Sequence, residues 1–291
     1  MPSSLRPPRR LADPSLPCLD ATHVVSFLTR SVARWPLACF AAATILLSAF
    51  RAASAENAGT PPLRVLFLTG GGYHDYQKLA PHLTRELARR VRVDFDVRFG
   101  LDSLKDPGFA KAFDAVVYDV CDDEVSDGIL TNALNTVRAG KPAVMIHCAV
   151  HAFRRSPLIH EWETCCGMRS KVHDPFAPLS TVKLDPASPI TRSFPEDWKS
   201  PGDELYQTIS IDPMSHALLR AKSLKDGREH IVAWTYEFGR GRVFATTLGH
   251  DMKTAVSEHY LQLLANGLLW SCGKLTPEGT PAAGLVVSPS R

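Results

Sequence analysis

The sequence predicts an α/β fold: a mostly parallel sheet with helices on both of its faces. In the first half of the chain, short apolar runs typical of buried strands alternate with stretches whose leucines recur at helical spacing. Strands that alternate with helices pair in parallel, because each helix carries the chain back across the sheet. The chain has 291 residues, of which 45% are hydrophobic, and this is enough for a sizeable core.

The first half supplies four strands and two helices. "LRVLFLT" at residues 63–69 is a buried strand, and "KLAPHLTRELARRV" at 78–91 repeats apolar residues as a helix does. Gly140 is a common type of helix stop and ends the second helix. The remaining predicted elements of this half are strands at 93–99, 114–120 and 142–147 and a helix at 127–140.

The second half is less regular and predicts mainly short strands. "HIVAWTYE" and "RVFATTLG" flank "FGRG", which is typical of a hairpin with a glycine-containing turn. The other predicted elements are strands at 180–185, 204–212 and 216–221 and a closing helix at 257–273. One domain is therefore expected over residues 63–273, preceded by a linker at 56–62. Residues 274–291 show no packing pattern and are predicted to be disordered.

Residues 1–55 have the pattern of a secretory signal peptide. An arginine-bearing, proline-rich segment precedes the apolar run "PLACFAAATILLSAF", and small residues follow in "RAASA". The apolar run is too short to span a bilayer comfortably. We therefore expect cleavage near Ala55, no stable membrane span afterwards, and a secreted or periplasmic location.

The charge of the chain outside this leader is close to neutral. Residues 1–55 hold six of the 33 basic and two of the 30 acidic residues, which leaves 27 basic and 28 acidic ones. A balance of this kind gives no general attraction to nucleic acid or to anionic lipid. Nucleic acid is therefore not an expected partner.

Five cysteines follow the leader, and no two of them form a C-x-x-C pair. A structural zinc site of the usual spacing is therefore not expected. An odd number leaves at least one free thiol or an intermolecular bond. The five are Cys121, Cys148, Cys165, Cys166 and Cys272. Adjacent Cys165 and Cys166 could bridge only through a strained ring, so buried thiols are the favoured interpretation of this pair.

"GGGYHDY" at residues 70–76 follows the first strand, where a nucleotide-binding turn would stand. The dinucleotide pattern G-x-G-x-x-G fails here, because its third glycine is replaced by Asp75. The acid expected at the end of the second strand is also misplaced. The glycines instead indicate a sharp turn that passes close to something small.

Three histidines follow predicted strands: His74, His147 and His250. Parallel strands gather their carboxyl ends at one edge of a sheet, and ligands bind there. The sequence therefore predicts one shared pocket for these imidazoles, with Asp75 and Asp251 beside two of them. Three imidazoles also suit a divalent metal such as zinc, but their spacing along the chain does not decide whether one binds.

Two further stretches are candidates to line this pocket. "KVHDPF" places His173 in a loop without apolar periodicity. In "PGDELYQ" the period-two geometry of an extended chain puts Glu204 and Tyr206 on one side and Asp203 on the other. A carboxylate and a phenol on one face suit sugar hydroxyls or acid–base chemistry, although a strand-edge salt bridge would use Glu204 equally well.

Several of these motifs, in this order, resemble the ThuA-like (trehalose utilisation) family. They are "LTGGGYHDY", "GKPAVMIHCA", "HDPF", "SPIT", "GDELY", "VAWTYEFGRGRVFATTLGHD" and "LLANGLLWSCG". The resemblance covers about residues 63–273 and implies a flavodoxin-like sheet related to class I glutamine amidotransferases. It also implies a role in carbohydrate breakdown, beside dehydrogenases that make 3-keto glycosides. The pocket residues that it implies are His74, His147, His173, Glu204, Tyr206 and His250.

The leading hypothesis is an exported hydrolase or lyase that acts on a glycoside or keto-sugar. His74, His147, His250 and Glu204 would then do acid–base chemistry, and Asp75, His173, Tyr206 and Asp251 would contact the carbohydrate. A sugar-binding module without catalysis is one alternative. An amidase or acyl hydrolase using Cys148 is another, although the bulky neighbours Ile146 and Val150 argue against a nucleophile elbow there. The oligomeric state stays open, with a homo-oligomer as one option.

Overall fold

The computed structural model describes residues 59–287, which form an eight-stranded sheet, a separate two-stranded sheet and five α-helices. The helices are α1 Tyr76–Ala88, α2 Asp127–Arg138, α3 Ile159–Cys166, α4 Met252–Ala255 and α5 Glu258–Ser271. The strands are β1 Leu63–Gly71, β2 Val93–Phe99, β3 Ala115–Cys121, β4 Ala143–Ile146, β5 Met168–His173, β6 Thr181–Lys183, β7 Tyr206–Ile211, β8 His216–Lys222, β9 Glu229–Phe238 and β10 Gly241–Thr246. The predicted signal peptide and residues 56–58 of the predicted linker lie outside the described residues.

The large sheet has the strand order β2-β1-β3-β4-β10-β9-β8-β6. The pairs from β2 through β10 are parallel, whereas β9, β8 and β6 are added antiparallel. The short turn at Gly239 and Arg240 makes β9 and β10 the predicted hairpin. The small antiparallel sheet consists of β5 and β7.

Helices cover both faces of the large sheet because its central strands are apolar on both sides. In β1, Val65 and Phe67 pack in one core with α1 and α5, whereas Leu66 and Leu68 pack in the other core with α2 and α3. Strands buried on both faces are typical of parallel sheets with helices on each side. The predicted fold class is confirmed.

The segment after α5 differs from the predicted disordered tail over residues 274–287. Leu285 is only 3% exposed and belongs to the core beside α1. The carbonyl of Leu285 accepts a hydrogen bond from the Arg92 amide at 2.9 Å, and Val286 bridges to Val91. One apolar side chain thus anchors a stretch that shows no periodicity of its own. Within the described residues, no helix is long and apolar enough to cross a membrane.

A candidate active site at the carboxyl edge of the sheet

His74, His147 and His250 meet at the carboxyl edge of the parallel strands. The ring centroid of His74 lies 4.9 Å from that of His147 and 4.7 Å from that of His250, and the rings of His147 and His250 are 5.4 Å apart. The three residues follow β1, β4 and β10. These strands are parallel, because β1 pairs with β3, β3 with β4, and β4 with β10. The structure therefore brings together the three imidazoles that the strand ends predict.

Glycines bring two of these histidine loops close to the core. Gly71 and Gly249 have φ values of +115° and +112°, which L side chains rarely adopt. A Cβ at Gly71 would collide with the carbonyl of Cys121, and one at Gly249 would collide with the hydroxyl of Tyr260. Glycine at these two positions thus lets the backbone pass close to its neighbours, as the sequence predicts for the glycine run at residues 70–72.

His147 occupies a strained turn directly after β4. Its φ is +46°, and only Phe153 among the other non-glycine residues described has a positive φ. Such a conformation costs about 1–3 kcal/mol and is concentrated at functional sites. The chain turns at His147 from β4 into a short 3-10 helix, His147–His151, and this turn holds the imidazole over the sheet edge.

A backbone hydrogen bond fixes the tautomer of His147. Its Nδ1 lies 2.6 Å from the carbonyl oxygen of Thr247, so Nδ1 carries the proton and donates it. Nε2 is left with its lone pair in the site, 3.3 Å from the Tyr206 hydroxyl and 3.6 Å from Oε2 of Glu204. His147 therefore presents an acceptor to whatever binds there.

The carboxylate of Glu204 lies among three imidazoles. Its Oε2 is 3.3 Å from Nδ1 of His250 and 3.6 Å from Nε2 of both His147 and His173. Burial raises the pKa of Glu204, but its interactions with the neighbouring His147 and His250 outweigh burial and lower the pKa well below its ordinary value. Glu204 is therefore ionised throughout the neutral range.

The pKa values of His250 and His74, which are both partly buried, are shifted in opposite directions. Glu204 raises the pKa of His250, mainly by a side-chain hydrogen bond. Burial, followed by the charges of His147 and His250, lowers the pKa of His74 to about 3. The cluster thus holds a carboxylate base, an imidazole that favours its proton and an imidazole that stays neutral, and such separation is typical of acid–base sites.

Tyr206 is a buried phenol within a stack of rings. Burial raises its pKa well above the ordinary value, so its hydroxyl stays neutral and can donate. Its ring lies 3.8 Å from that of His151 at an interplanar angle of 11°, and 5.8 Å from the ring of His173. His173 and Tyr206 are also register partners across β5 and β7. The small sheet therefore delivers both residues to the site.

Asp203, placed by the sequence on the far side of its segment, is fully buried and ties the site together. Its carboxylate accepts hydrogen bonds from the backbone amides of Gly249 at 2.8 Å, Glu204 at 3.0 Å and His250 at 3.2 Å. Burial raises its pKa, although these bonds and His147 oppose the rise. Asp203 thus links the loop after β10 to the segment that carries Glu204.

Asp119 and His151 are buried polar residues that the sequence did not single out. Asp119 lies within β3 and accepts a hydrogen bond from the Thr69 hydroxyl at 2.9 Å, and burial raises its pKa to about 7. His151 lies 2.9 Å from the Ser170 hydroxyl, and burial lowers its pKa to about 3. A charged residue inside the apolar run "DAVVYDV" was the available signal for Asp119; His151 carried none.

Asp75 and Asp251 do not join the cluster as the sequence predicted. Asp75 is half-exposed and pairs with Lys78 at 2.6 Å. Asp251 accepts a hydrogen bond from the Lys253 amide at 2.8 Å and so caps α4. Each carboxylate therefore has a partner within its own loop or helix, and its contact with substrate stays a prediction.

Cys121 and Cys148 form a disulfide, a pairing that the sequence pattern did not indicate. Cys165 and Cys166 are free and buried, as expected, and Cys272 is free. A nucleophilic Cys148 would require this disulfide to be broken first. The sharp turn after β4 is, in addition, occupied by His147 and not by Cys148.

Two sets of side chains are arranged closely enough to hold a metal. One ligand atom from each of His74, His147 and His250 lies within 4.8 Å of the others, and the same holds for His74 with the sulfurs of Cys121 and Cys148. The second set is available only if the disulfide is reduced. His74 is common to both.

Several comparisons relate this fold to known proteins. A ThuA-like protein from Parabacteroides merdae matches with a TM-score of 0.63 and 23% identity, over 77% of this chain and 96% of its own. One from Bacteroides uniformis gives 0.61 and 14% over the same shares. A beta-galactosidase from Bacillus circulans sp. alkalophilus gives 0.51 and 12%, over 77% of this chain and 34% of its own. These identities establish similarity of fold alone.

No curated protein matches the sequence. The family model for ThuA, described as trehalose utilisation, matches residues 64–271, which confirms the resemblance inferred from the motifs. The match covers most of the chain and contains every residue of the site. The chain belongs to the ThuA (trehalose utilisation) family and is a protein associated with carbohydrate utilisation.

Proposed function

We propose that this protein is a lyase or hydrolase that acts on a 3-keto glycoside, with Glu204 as the base and His250 as the acid. The observation that carries the proposal is the carboxylate of Glu204 placed 3.3–3.6 Å from three imidazoles. Membership of the ThuA family supports a carbohydrate as the substrate class. The keto group supplies the acidity that this constellation needs, because a proton next to a carbonyl can be removed by a carboxylate.

The proposed step is an elimination. Glu204 takes the proton from the carbon between the keto group and the anomeric carbon. A double bond forms between the deprotonated carbon and the anomeric carbon as the bond from the anomeric carbon to the leaving oxygen breaks. The leaving oxygen takes a proton from His250. Addition of water to the product by the reverse sequence completes a net hydrolysis. Because Glu204 and His250 are 3.3 Å apart, a proton passed between them restores the starting state.

Other residues would hold the substrate. The neutral hydroxyl of Tyr206 is a donor suited to the keto oxygen, on which charge develops during the step. Nε2 of His147 is an acceptor suited to a sugar hydroxyl. Phe176 is 37% exposed, lies 5.1 Å from the ring of His250 and offers an apolar surface to a sugar face.

The test is turnover of a 3-keto glycoside that carries a chromogenic leaving group. We expect Glu204→Gln to reduce kcat/KM by about 10²- to 10⁴-fold, the range for loss of a positioned base. Glu161→Gln, at an exposed glutamate far along the chain, serves as the control and should match the wild type. Sugar binding without turnover in the wild type would refute the enzyme and favour the sugar-binding module.

We also propose that the protein is exported. The signal-like pattern of residues 1–55 and the Cys121–Cys148 disulfide both support an oxidising compartment outside the cytoplasm. N-terminal sequencing of the protein recovered from its native host should then begin near Glu56. An intact N-terminus on protein recovered from the cytosolic fraction would contradict export.

A further inference from the structure

We infer that His74, His147 and His250 bind one divalent transition metal ion of the zinc class, with Glu204 beside it as an outer-sphere carboxylate. This inference deepens the proposed function and rests on it only for the identity of the substrate. Binding of the ion itself requires no substrate.

The ligand set is the first reason. One nitrogen from each of the three rings lies within 4.8 Å of the others. Zinc bound at about 2.1 Å holds two tetrahedral ligand atoms ~3.4 Å apart, so the widest pair would have to close by at most about 1.4 Å. His147 is buried and fixed by Thr247, whereas His74 and His250 are partly exposed and free to supply that movement.

The polar atoms of the cluster are the second reason. Nε2 of His74 is buried and has no hydrogen-bond partner. A buried nitrogen without a partner is costly in a folded protein, and a metal ion would satisfy its lone pair. His74 lies between the other two imidazoles at ring distances of 4.7 and 4.9 Å, so further nitrogen ligands are close to it.

The outer partners of the rings are the third reason. Metal-bound histidines nearly always donate their second ring N–H to a carbonyl or carboxylate. Nδ1 of His147 donates to the carbonyl of Thr247 at 2.6 Å, which leaves Nε2 for a metal. Nδ1 of His250 lies 3.3 Å from Oε2 of Glu204 without a well-aligned hydrogen bond, so a small turn of the ring would complete the carboxylate–histidine arrangement.

The donor chemistry selects the class of ion. Imidazoles suit zinc, cobalt, nickel and copper, whereas magnesium and calcium prefer oxygen ligands. Three protein ligands leave one position for water or substrate, as in catalytic zinc sites. A bound ion would occupy a ring nitrogen of His250, so His250 could act as the acid only in the protein without the ion, whereas Glu204 would remain the base in both forms.

The experiment measures zinc binding to the full chain, purified without chelators, by equilibrium dialysis and elemental analysis in the absence of substrate. We expect one zinc per chain. His250→Ala and His147→Asn should each weaken binding by more than ~100-fold, beyond the loss expected for an outer-shell partner, and Glu204→Gln by about 10- to 100-fold. Asparagine is chosen at 147 because it tolerates the positive φ.

His216→Ala is the matched control, since His216 is exposed and pairs with Asp185 far from the cluster. It should bind zinc as the wild type does. Circular dichroism and the thermal midpoint establish that each variant is folded. His74→Ala is the second variant if either of the others fails to fold, and it should weaken binding by the same factor.

Cobalt substitution distinguishes the two candidate ligand sets. The three-histidine site predicts the visible absorption of tetrahedral cobalt without a thiolate charge-transfer band. A thiolate band, or binding that appears only after reduction with a dithiol and is lost in Cys121→Ser, would place the ion on the cysteine pair and overturn the inference. Absence of stoichiometric zinc in the folded wild type would also overturn it.

The outcomes also separate this inference from the proposed function. Zinc bound by the three histidines in a protein that turns over no keto glycoside keeps the metal site and refutes the enzyme. Turnover by a wild type that binds no zinc at any concentration tested keeps the enzyme and refutes the metal site.

Discussion

The candidate site is built by two regions that differ in how they are held. His74, His147 and His250 come from the ends of parallel strands in the large sheet, whose pairing fixes where they lie. Glu204 and Tyr206 come from the segment leading into β7, which belongs to the small two-stranded sheet. Asp203 joins the two regions through its hydrogen bonds to Gly249 and His250. The positions of the imidazoles are thus set by the sheet topology, whereas the position of Glu204 depends on the hydrogen bonds of the buried Asp203.

The substitution with the largest expected effect is Asp203→Ala, which removes the link between the two regions. Three backbone amides would lose their charged acceptor in a fully buried place, so we expect a loss of roughly 3 to 5 kcal/mol in the free energy of unfolding. Urea unfolding measures it. Asp102→Ala, at an exposed aspartate paired with Lys105, should stay within about 0.5 kcal/mol of wild type. Equal losses of unfolding free energy in the two variants would mean that Asp203 does not link the two regions.

The second prediction concerns the anchor beneath the parallel region. Leu285→Ala removes a buried side chain from the core beside α1 and should cost about 3 kcal/mol of unfolding free energy. Leu224→Ala is the matched control, because Leu224 is 82% exposed and should change the stability by less than about 0.5 kcal/mol. A neutral Leu285→Ala would return residues 274–287 to the disordered tail that the sequence predicts.

The third prediction contrasts Asp119, in the parallel region, with the ionised Glu204. Burial raises the pKa of Asp119 from 3.8 to about 7, so the folded state binds its proton more tightly than the unfolded state does. The wild type therefore loses stability as the pH rises from 4 to 7, and this window is worth at most ~4 kcal/mol. Asp119→Asn removes that loss, while the weaker bond to Thr69 offsets part of the gain.

Asp119→Asn should thus be more stable than the wild type by about 2 kcal/mol at pH 8 and equal to it below pH 4. Unfolding by urea at both pH values measures the difference. Asp94→Asn, at an exposed aspartate of β2, should show no such pH dependence. A gain of the same size at both pH values would show that the effect does not come from the proton of Asp119.

The smallest expected effects come from the two aspartates that lie outside the cluster. Asp75→Ala should leave stability within about 0.5 kcal/mol, and Asp251→Ala should cost about 1 kcal/mol through the lost helix cap. Neither should change turnover of a keto glycoside by more than about twofold, in contrast to Glu204→Gln. A large loss of turnover in either variant would restore its predicted place in substrate binding.

The parts that the sequence predicted follow from local pattern combined with parallel topology. Apolar runs place the strands, and parallel pairing brings the strand ends together, so the meeting of His74, His147 and His250 could be expected. Period-two geometry also placed Glu204 and Tyr206 correctly relative to each other, and the family motifs named both as pocket residues. Such reasoning reaches residues whose position depends on one element at a time.

The parts that could not be predicted depend on contacts between distant segments. Asp203 acts on amides 46 and 47 residues away, and Cys121 pairs with a cysteine 27 residues away. His151 takes its place by stacking on Tyr206, and Leu285 takes its place by packing against α1. No periodicity records such pairings. Asp75 and Asp251 have a neighbouring lysine side chain and a helix amide as partners, and their contact with substrate stays a prediction.

Because Cys121 and Cys148 form a disulfide, the chemical state of a sample depends on the redox conditions under which the protein was produced. Cys148 directly follows His147, and both sulfurs lie within 4.8 Å of a ring nitrogen of His74. Material matured in a reducing cytosol carries two thiols there, whereas secreted material carries none. Two laboratories using the same gene and different expression routes would therefore study different molecules, and the oxidation state belongs beside the sequence in every assay of this protein.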